Sequence, residues 1–346
     1  MKDFFRSVIV LIGCLLLLGV GPNCGLGSKE NQVPDDGKGV EYWKPGPGSV
    51  AWGSSAAPFP GESGVSRIEA WTRLNTRIKS LNGGYGLIGR RSYDTKIPVT
   101  FAESAMAPDV GLCPVSIGSF KPSWKETADG VNHDAIKRFV QSVPDSHTVY
   151  LVFHHEPEDE ALSGNANYSP ELLQTAFARF VDVVLSSGKP NVHPCFVLMS
   201  WTFNPKSGRN PEDFNLAAKL KPWQMERVVA GLDGYADVPA KGSAKDIFDA
   251  NFKKMETWGF TRFGIFETAT HPVDTKPDRE EWISGLGKWV KDRKNIELVS
   301  WFHSAVGQHA GEKGWYLGEW YMQNDGKYSW SDDGSLKAYA RLLVPD

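Results

Sequence analysis

Eight short, mostly apolar runs constrain this chain more than anything else in it. They are Ser49–Gly53, Tyr85–Arg90, Cys113–Phe120, Thr148–His154, Cys195–Trp201, Arg227–Leu232, Arg262–Phe266 and Ile296–Phe302. A strand that is apolar along its whole length is buried on both faces. A parallel sheet covered by helices requires strands of that kind. Amphipathic stretches separate most of the runs. Val65–Leu81 and Asn132–Val143 read as helices, the second with Ile136, Phe139, Val140 and Val143 on one face. The clearest helix starts at Pro170 behind the N-cap Ser169 and closes at Gly188. Ser243 and Asp246 form a capping box that opens a helix to Trp258. Trp282–Val290 and Ser335–Leu343 complete the set. Eight strand-plus-connection units predict a closed (β/α)8 barrel of the α/β class, which needs about 250 residues. The 204–224 connection shows no clear helix. A doubly wound open sheet is disfavoured, because Gly83-Gly84-Tyr85-Gly86 precedes a strand instead of joining a strand to a helix.

The barrel does not use the whole chain of 346 residues. Lys2 and Arg6 precede a 13-residue apolar run, Val8–Val20, which is too short to span a bilayer and suits a signal peptide. Residues 1–26 are therefore read as a signal peptide, 27–48 as a Gly/Pro-rich linker and 49–346 as the catalytic barrel. The mature protein is expected to be secreted and to start between about residues 20 and 30, the usual signal-peptide range. An uncleaved membrane anchor or a lipid anchor is the minor alternative. Net charge is −3 and no run of five basic residues occurs, which disfavours nucleic acid and anionic membranes as partners. Cys113 and Cys195 are the only cysteines beyond Cys24, with no metal-ligand spacing, and read as buried thiols.

In such a barrel the chemistry sits at the C-terminal ends of the strands. Those ends are polar or aromatic throughout. The third runs into Lys121-Pro122-Ser123-Trp124, and the fourth ends in His154-His155-Glu156-Pro157-Glu158. The fifth leads into Trp201, the sixth into Asp233-Gly234-Tyr235, the seventh into Glu267 and the eighth into Trp301-Phe302-His303. Glu156 and Glu267 lie 111 residues apart, three units of 37, on strands four and seven. Two carboxylates facing each other across a barrel mouth suit glycoside hydrolysis, with one as a raised-pKa acid/base and the other as an ionised nucleophile. A narrow barrel puts such carboxyls about 5–5.5 Å apart, the spacing of a retaining enzyme. Repulsion from Glu267 is expected to keep Glu156 protonated. Trp124, Trp201, Tyr235 and Trp301 are candidate sugar platforms, with Asp233 and His303 as hydroxyl partners. Arg90, Arg91 and Tyr93 are placed to hold a carboxylate or a sugar. His154 is expected to point away from the site. The aromatic segment 311–331 is a candidate cleft wall. No metal or cofactor is expected, since His-His-Glu-Pro-Glu is not a zinc helix, and no serine nucleophile elbow occurs.

The segment VYLVFHHEPE resembles the acid/base strand of glycoside hydrolase family 26, whose strand four ends in His-Glu. GIFETAT is similar to that family's nucleophile strand, VAGLDGYAD to its strand six, and ELVSWFHSAVG to its strand eight. The resemblance spans roughly residues 49–310. It implies a retaining endo-β-glycanase of the β-mannanase type, acting as a monomer on a polysaccharide or oligosaccharide. Glu156 would then be the acid/base and Glu267 the nucleophile, with His155 hydrogen-bonded near Glu267 to keep it ionised. Pro157-Glu158 departs from the common mannanase continuation, which leaves the sugar open. A β-1,3-glucanase, a xylanase, an exo-glycosidase and a non-catalytic carbohydrate-binding barrel are the alternatives.

Overall fold

Eight parallel strands close on themselves. They are β1 (Ala51–Ala56), β2 (Gly89–Asp94), β3 (Val115–Phe120), β4 (Thr148–Phe153), β5 (Val192–Met199), β6 (Val229–Ala236), β7 (Phe263–Thr270) and β8 (Ile296–His303). Each pairs with its sequence neighbour, and β8 returns to β1 from Ala51↔Leu298 to Ala56↔His303. The computed structural model describes residues 49–58, 62, 64–94, 96–108, 113–161, 165–236, 239–271, 277–304, 315–317, 319–322, 328–331 and 334–344. The segments read as signal peptide and linker lie outside the described residues, as do residues 311–314, 318 and 323–327 of the aromatic segment 311–331.

All eight expected strands form, and their ends shift by a few residues. The expected helices appear as Arg67–Leu81, His133–Gln141, Pro170–Ser186, Ala244–Thr257, Arg279–Asp292 and Gly334–Leu342. Local chemistry fixes their starts. The side chains of Ser66, Ser169 and Asp278 each accept a hydrogen bond from an amide in the first turn. The Ser243–Asp246 capping box is reciprocal. Gly188 ends the 170–186 helix with φ +76°, a conformation open to glycine at little cost. The connection after β5 contains four 3-10 turns and the four-residue helix Pro222–Met225, which is why no amphipathic period shows there.

Two apolar layers form. Outside the barrel, Trp71, Phe139, Phe177, Phe180, Phe252 and Trp282 pack between strands and helices. Each such burial contributes about 1.5–3 kcal/mol. Inside, Val115, Ile117, Tyr150, Val197, Phe266 and Leu298 fill the barrel, so it is a packed plug and not a pore. Cys113 and Cys195 are buried free thiols, and burial pushes Cys113 up to about 11. β1 and β2 approach closely at Gly53, where a β-carbon would stand 2.7 Å from the carbonyl oxygen of Gly89. Among the described residues, no helix is long and apolar enough to cross a membrane.

Candidate active site

The exit of β4 is the most strained backbone among the described residues. His154 and Glu156 have φ +53° and +48°, and they are the only non-glycine residues described in the left-handed region. Such residues cost about 1–3 kcal/mol each and persist where the surroundings over-determine them. The surroundings here are specific. The Glu156 amide donates to the Val197 carbonyl on β5 at 3.2 Å. His154 turns outward, as expected, with its ring 5.2 Å from that of Trp124, and burial lowers its pKa to about 4. Pro157 then precedes a short helix, Glu158–Ala161. Glu158 is fully buried, and its Oε1 accepts from the Met199 amide at 2.7 Å and from Thr202 Oγ1 at 2.8 Å. Burial pushes its carboxyl up to about 8, so it is protonated at neutral pH. Glu158 thus ties the turn carrying Glu156 to the β5 exit. The adjoining 3-10 turn, Ser200–Phe203, holds Trp201 half exposed against a cavity of about 430 Å³ that also reaches Tyr235.

Glu267 is set by a register irregularity. The pairing of β7 with β8 shifts between Ile265 and Thr268. As a result Phe266 joins the interior plug while the next residue, Glu267, also faces inward and lines a cavity of about 250 Å³. Arg91 Nε donates to Glu267 Oε1 at 3.0 Å and to Tyr93 Oη at 2.7 Å. The Tyr235 hydroxyl donates to Glu267 Oε2 in a short hydrogen bond. Burial raises the Glu267 carboxyl, while the Arg91 charge and hydrogen bond pull it back down. Glu156 is half buried. Its carboxyl is raised first by burial and then by the charge of Asp233. Burial is thus the main cause, and the repulsion that adds to it comes from Asp233 where that group is ionised, not from Glu267 as the sequence suggested.

His155 and Asp233 differ from their expected roles. The nearer partner of His155 Nε2 is Asp233 Oδ2, in a short hydrogen bond, and Glu267 Oε1 is 3.8 Å away. Asp233 is too buried to meet a sugar. Burial raises it to about 7, and burial with the Arg91 charge lowers His155 to about 3. The pair thus holds its proton on Asp233 below neutrality and leaves His155 uncharged. Arg91 Nη2 lies 3.7 Å from Asp233 Oδ2, so one guanidinium serves both carboxylates. Arg90 faces outward, where its Nη2 bonds the carbonyls of Ala105 and Ala107.

Three other aromatic or histidine positions are corrected. Trp124 is fully buried against His154 and Tyr168. Trp301 is fully buried outside the barrel against Trp282 and Tyr339, with Nε1 donating to the Trp315 carbonyl. His303 is buried, and its Nδ1 accepts from the Leu317 amide. None of the three offers a face to a sugar. Tyr235 and Trp201 remain at cavities, and Tyr235 stacks on Trp315 with centroids 4.7 Å apart and planes at 12°. Trp315 thereby joins the expected cleft-wall segment to the site. Sequence reasoning missed Arg67, Ser55 and Phe302, which line the cavity over Glu267. Ser55 and Phe302 had position alone as a signal, near strand ends, and Arg67 opens the helix after β1.

Among the described residues, His155, Asp233 and Glu267 are the one group with cation-ligating donors close together, within 4.8 Å of one another. Arg91 already lies against both carboxylates, so a metal ion there would meet a fixed positive charge.

No family model matches the chain, and no curated protein sequence matches it. Solved structures with the same barrel do. A glucosidase from Croceicoccus marinus is 14% identical with a TM-score of 0.49, the match covering 87% of this chain and 68% of that one. A family 128 endo-β-1,3-glucanase from Sorangium cellulosum is 13% identical with a TM-score of 0.48, covering 84% and 96%. The family 26 domain of an endo-β-mannanase/endo-β-glucanase from Prevotella bryantii is 11% identical with a TM-score of 0.45, covering 77% and 87%. The shared property is the (β/α)8 barrel, and these neighbours are glycoside hydrolases.

Proposed function

We propose that this chain is a retaining β-glycoside hydrolase, with Glu267 as nucleophile and Glu156 as acid/base. One observation carries the reading. A buried carboxylate, Glu267, is held by a guanidinium and a phenol at the wall of an open cavity on the catalytic end of a barrel. A cation beside a carboxylate favours its anion, the form needed for attack on the anomeric carbon. Glu156 differs in the useful direction. Half buried, raised, and on a turn fixed by strain, it can retain a proton for the leaving oxygen. The first step then forms a glycosyl ester on Glu267 as Glu156 gives up its proton. In the second, Glu156 takes a proton from water, which releases the sugar with its configuration kept.

The exposed Trp201 at the neighbouring cavity supports an extended glycan, and hence an endo-acting, β-mannanase-like enzyme on a polysaccharide. The proposed protein is a secreted monomer without metal or cofactor. Its N-terminus after export, read by Edman sequencing, is expected between about residues 20 and 30, the usual signal-peptide range. The function itself is tested by incubating the protein with β-mannan, β-xylan and β-glucan polymers and assaying reducing ends. Proton NMR of the first product is expected to show the β-anomer, and a 2-fluoro glycoside is expected to label Glu267. An initial α-anomer, or a label on another residue, would overturn the assignment.

A further inference from the structure

The cavity over Glu267 is lined by a second cation, to which the proposed steps give no contact with the substrate. Arg67, the first residue of the helix Arg67–Leu81, lines it together with Glu267, His155, Ser55 and Phe302. It is exposed, and among the described residues it makes no hydrogen bond or ion pair. Arg91, by contrast, is buried, with Nε bonded to Glu267 and Tyr93 and its charge beside Asp233. Arg67 nevertheless acts on the site at a distance, because its charge favours the Glu267 anion.

A spare cation is an awkward neighbour for this reaction. The transition state of glycoside hydrolysis carries positive charge at the anomeric centre, and a nearby guanidinium opposes it. The opposition vanishes if the substrate brings a negative group to the guanidinium. The planar fork of Arg matches a carboxylate or a sulfate with two parallel hydrogen bonds. We propose that this cavity takes a sugar bearing an anionic substituent, a uronate carboxylate or a sulfate ester, with Arg67 as the specificity-determining contact. The proposal rests on reading Glu267 as the reacting carboxylate, and it names the substrate class of that same site.

Calorimetric titration tests it without any bond being broken. The probes are glucuronate and glucose 6-sulfate against glucose, and galacturonate against galactose. The wild type is expected to bind at least one anionic sugar about tenfold more tightly than its neutral counterpart, the usual worth of a charge-assisted hydrogen bond. That advantage should shrink with added salt, disappear in Arg67→Gln, and survive in part in Arg67→Lys. Glucuronate or galacturonate outbinding the sulfate points to a uronic acid, and the reverse order to a sulfated glycan. No anionic advantage in the wild type, or one that persists in Arg67→Gln, overturns the inference. The outcome is separable from the hydrolase reading. Failure to cleave any polymer, with the Arg67-dependent advantage intact, removes the enzyme and leaves the binding site. Cleavage of neutral glycans with no anionic advantage does the opposite.

Discussion

The two ends of the barrel hold the same kinds of side chain and use them differently. At the N-terminal end, Arg262 grips Glu297 with two bonds of 2.5 and 2.8 Å, and Tyr150 donates to the same carboxylate at 3.1 Å. His193 approaches the guanidinium at 3.4 Å, and Arg262 also donates to the Arg227 carbonyl. One cation meets one anion, and each nitrogen of the guanidinium finds an acceptor. At the C-terminal end, Arg91 faces both Glu267 and Asp233, Tyr235 donates to Glu267, and His155 bonds Asp233. Here one cation serves two carboxyl groups beside a third, Glu156, and a cavity opens over Glu267. Neither Nη atom of Arg91 has a hydrogen-bond partner among the described residues. A matched set is structural, whereas an under-compensated set facing space is poised to titrate and to react.

Breaking each end separately should give opposite phenotypes. Glu267→Gln is expected to lower glycoside cleavage by about 10⁴-fold or more, as loss of a nucleophile does, while Tm moves little. Comparable cleavage rates for the wild type and this variant would make the upper carboxylate structural after all. Glu156→Ala comes next, at about 10²–10⁴-fold for poor leaving groups. Aryl glycosides with very good leaving groups should keep their glycosylation rate, and equal losses across a leaving-group series would rule out an acid. At the other end, Glu297→Gln strands Arg262 and is expected to cost about 3 kcal/mol of stability, read by urea titration, with kcat nearly unchanged. A Glu297→Gln protein as stable as the wild type would show that the lower set is not structural.

Acidity sharpens the same contrast. Asp233 and Glu158, both at the upper end, are raised to about 7 and 8. Groups raised on folding stabilise at pH below their unfolded values, and that contribution is lost as pH rises through 7 to 8. Five buried histidines are depressed: His147 and His154 to about 4, and His155, His193 and His303 to about 3. Their contribution is full above the ordinary imidazole value and is lost as pH falls through 4 to 3. Stability should therefore peak near pH 6, and the alkaline side should fall by about 4 kcal/mol before levelling off once both carboxyls have ionised in the folded state. Chemical denaturation at a series of pH values measures it. An undiminished alkaline fall in the Glu158→Gln, Asp233→Asn double variant would place the titrating groups elsewhere.

The barrel was legible in the sequence because strands buried on both faces must be apolar along their length. That requirement survives without knowledge of any partner. The site was legible only as a set of strand exits. Which way an exit residue faces depends on alternation, and alternation fails at irregularities. Trp301 follows the parity of the outward Val299 and is buried under Trp282. Glu267 breaks the parity of Phe266 through a register shift that no spacing rule reveals. The grip of Arg91 on Glu267 joins residues 176 apart in the chain, from β2 to β7 across the barrel. Glu158 read as part of an acidic exit and is instead a neutral buried strut, because the fold of the β5 exit decides its solvent access.

The left-handed turn at His154 and Glu156 also sets the order in which the molecule should come apart. A strained turn stores free energy that its anchors must hold, so it opens locally before the barrel unfolds. In native-state amide exchange, the Glu156 N–H, anchored only to the Val197 carbonyl, should exchange far sooner than the amides within β4 and β5. On heating, the carboxyl it carries would lose its aim while the strands remain paired. Heat inactivation is then expected several degrees below the melting transition, and a thermostabilised variant should gain more from bracing this one turn than from further packing of the barrel.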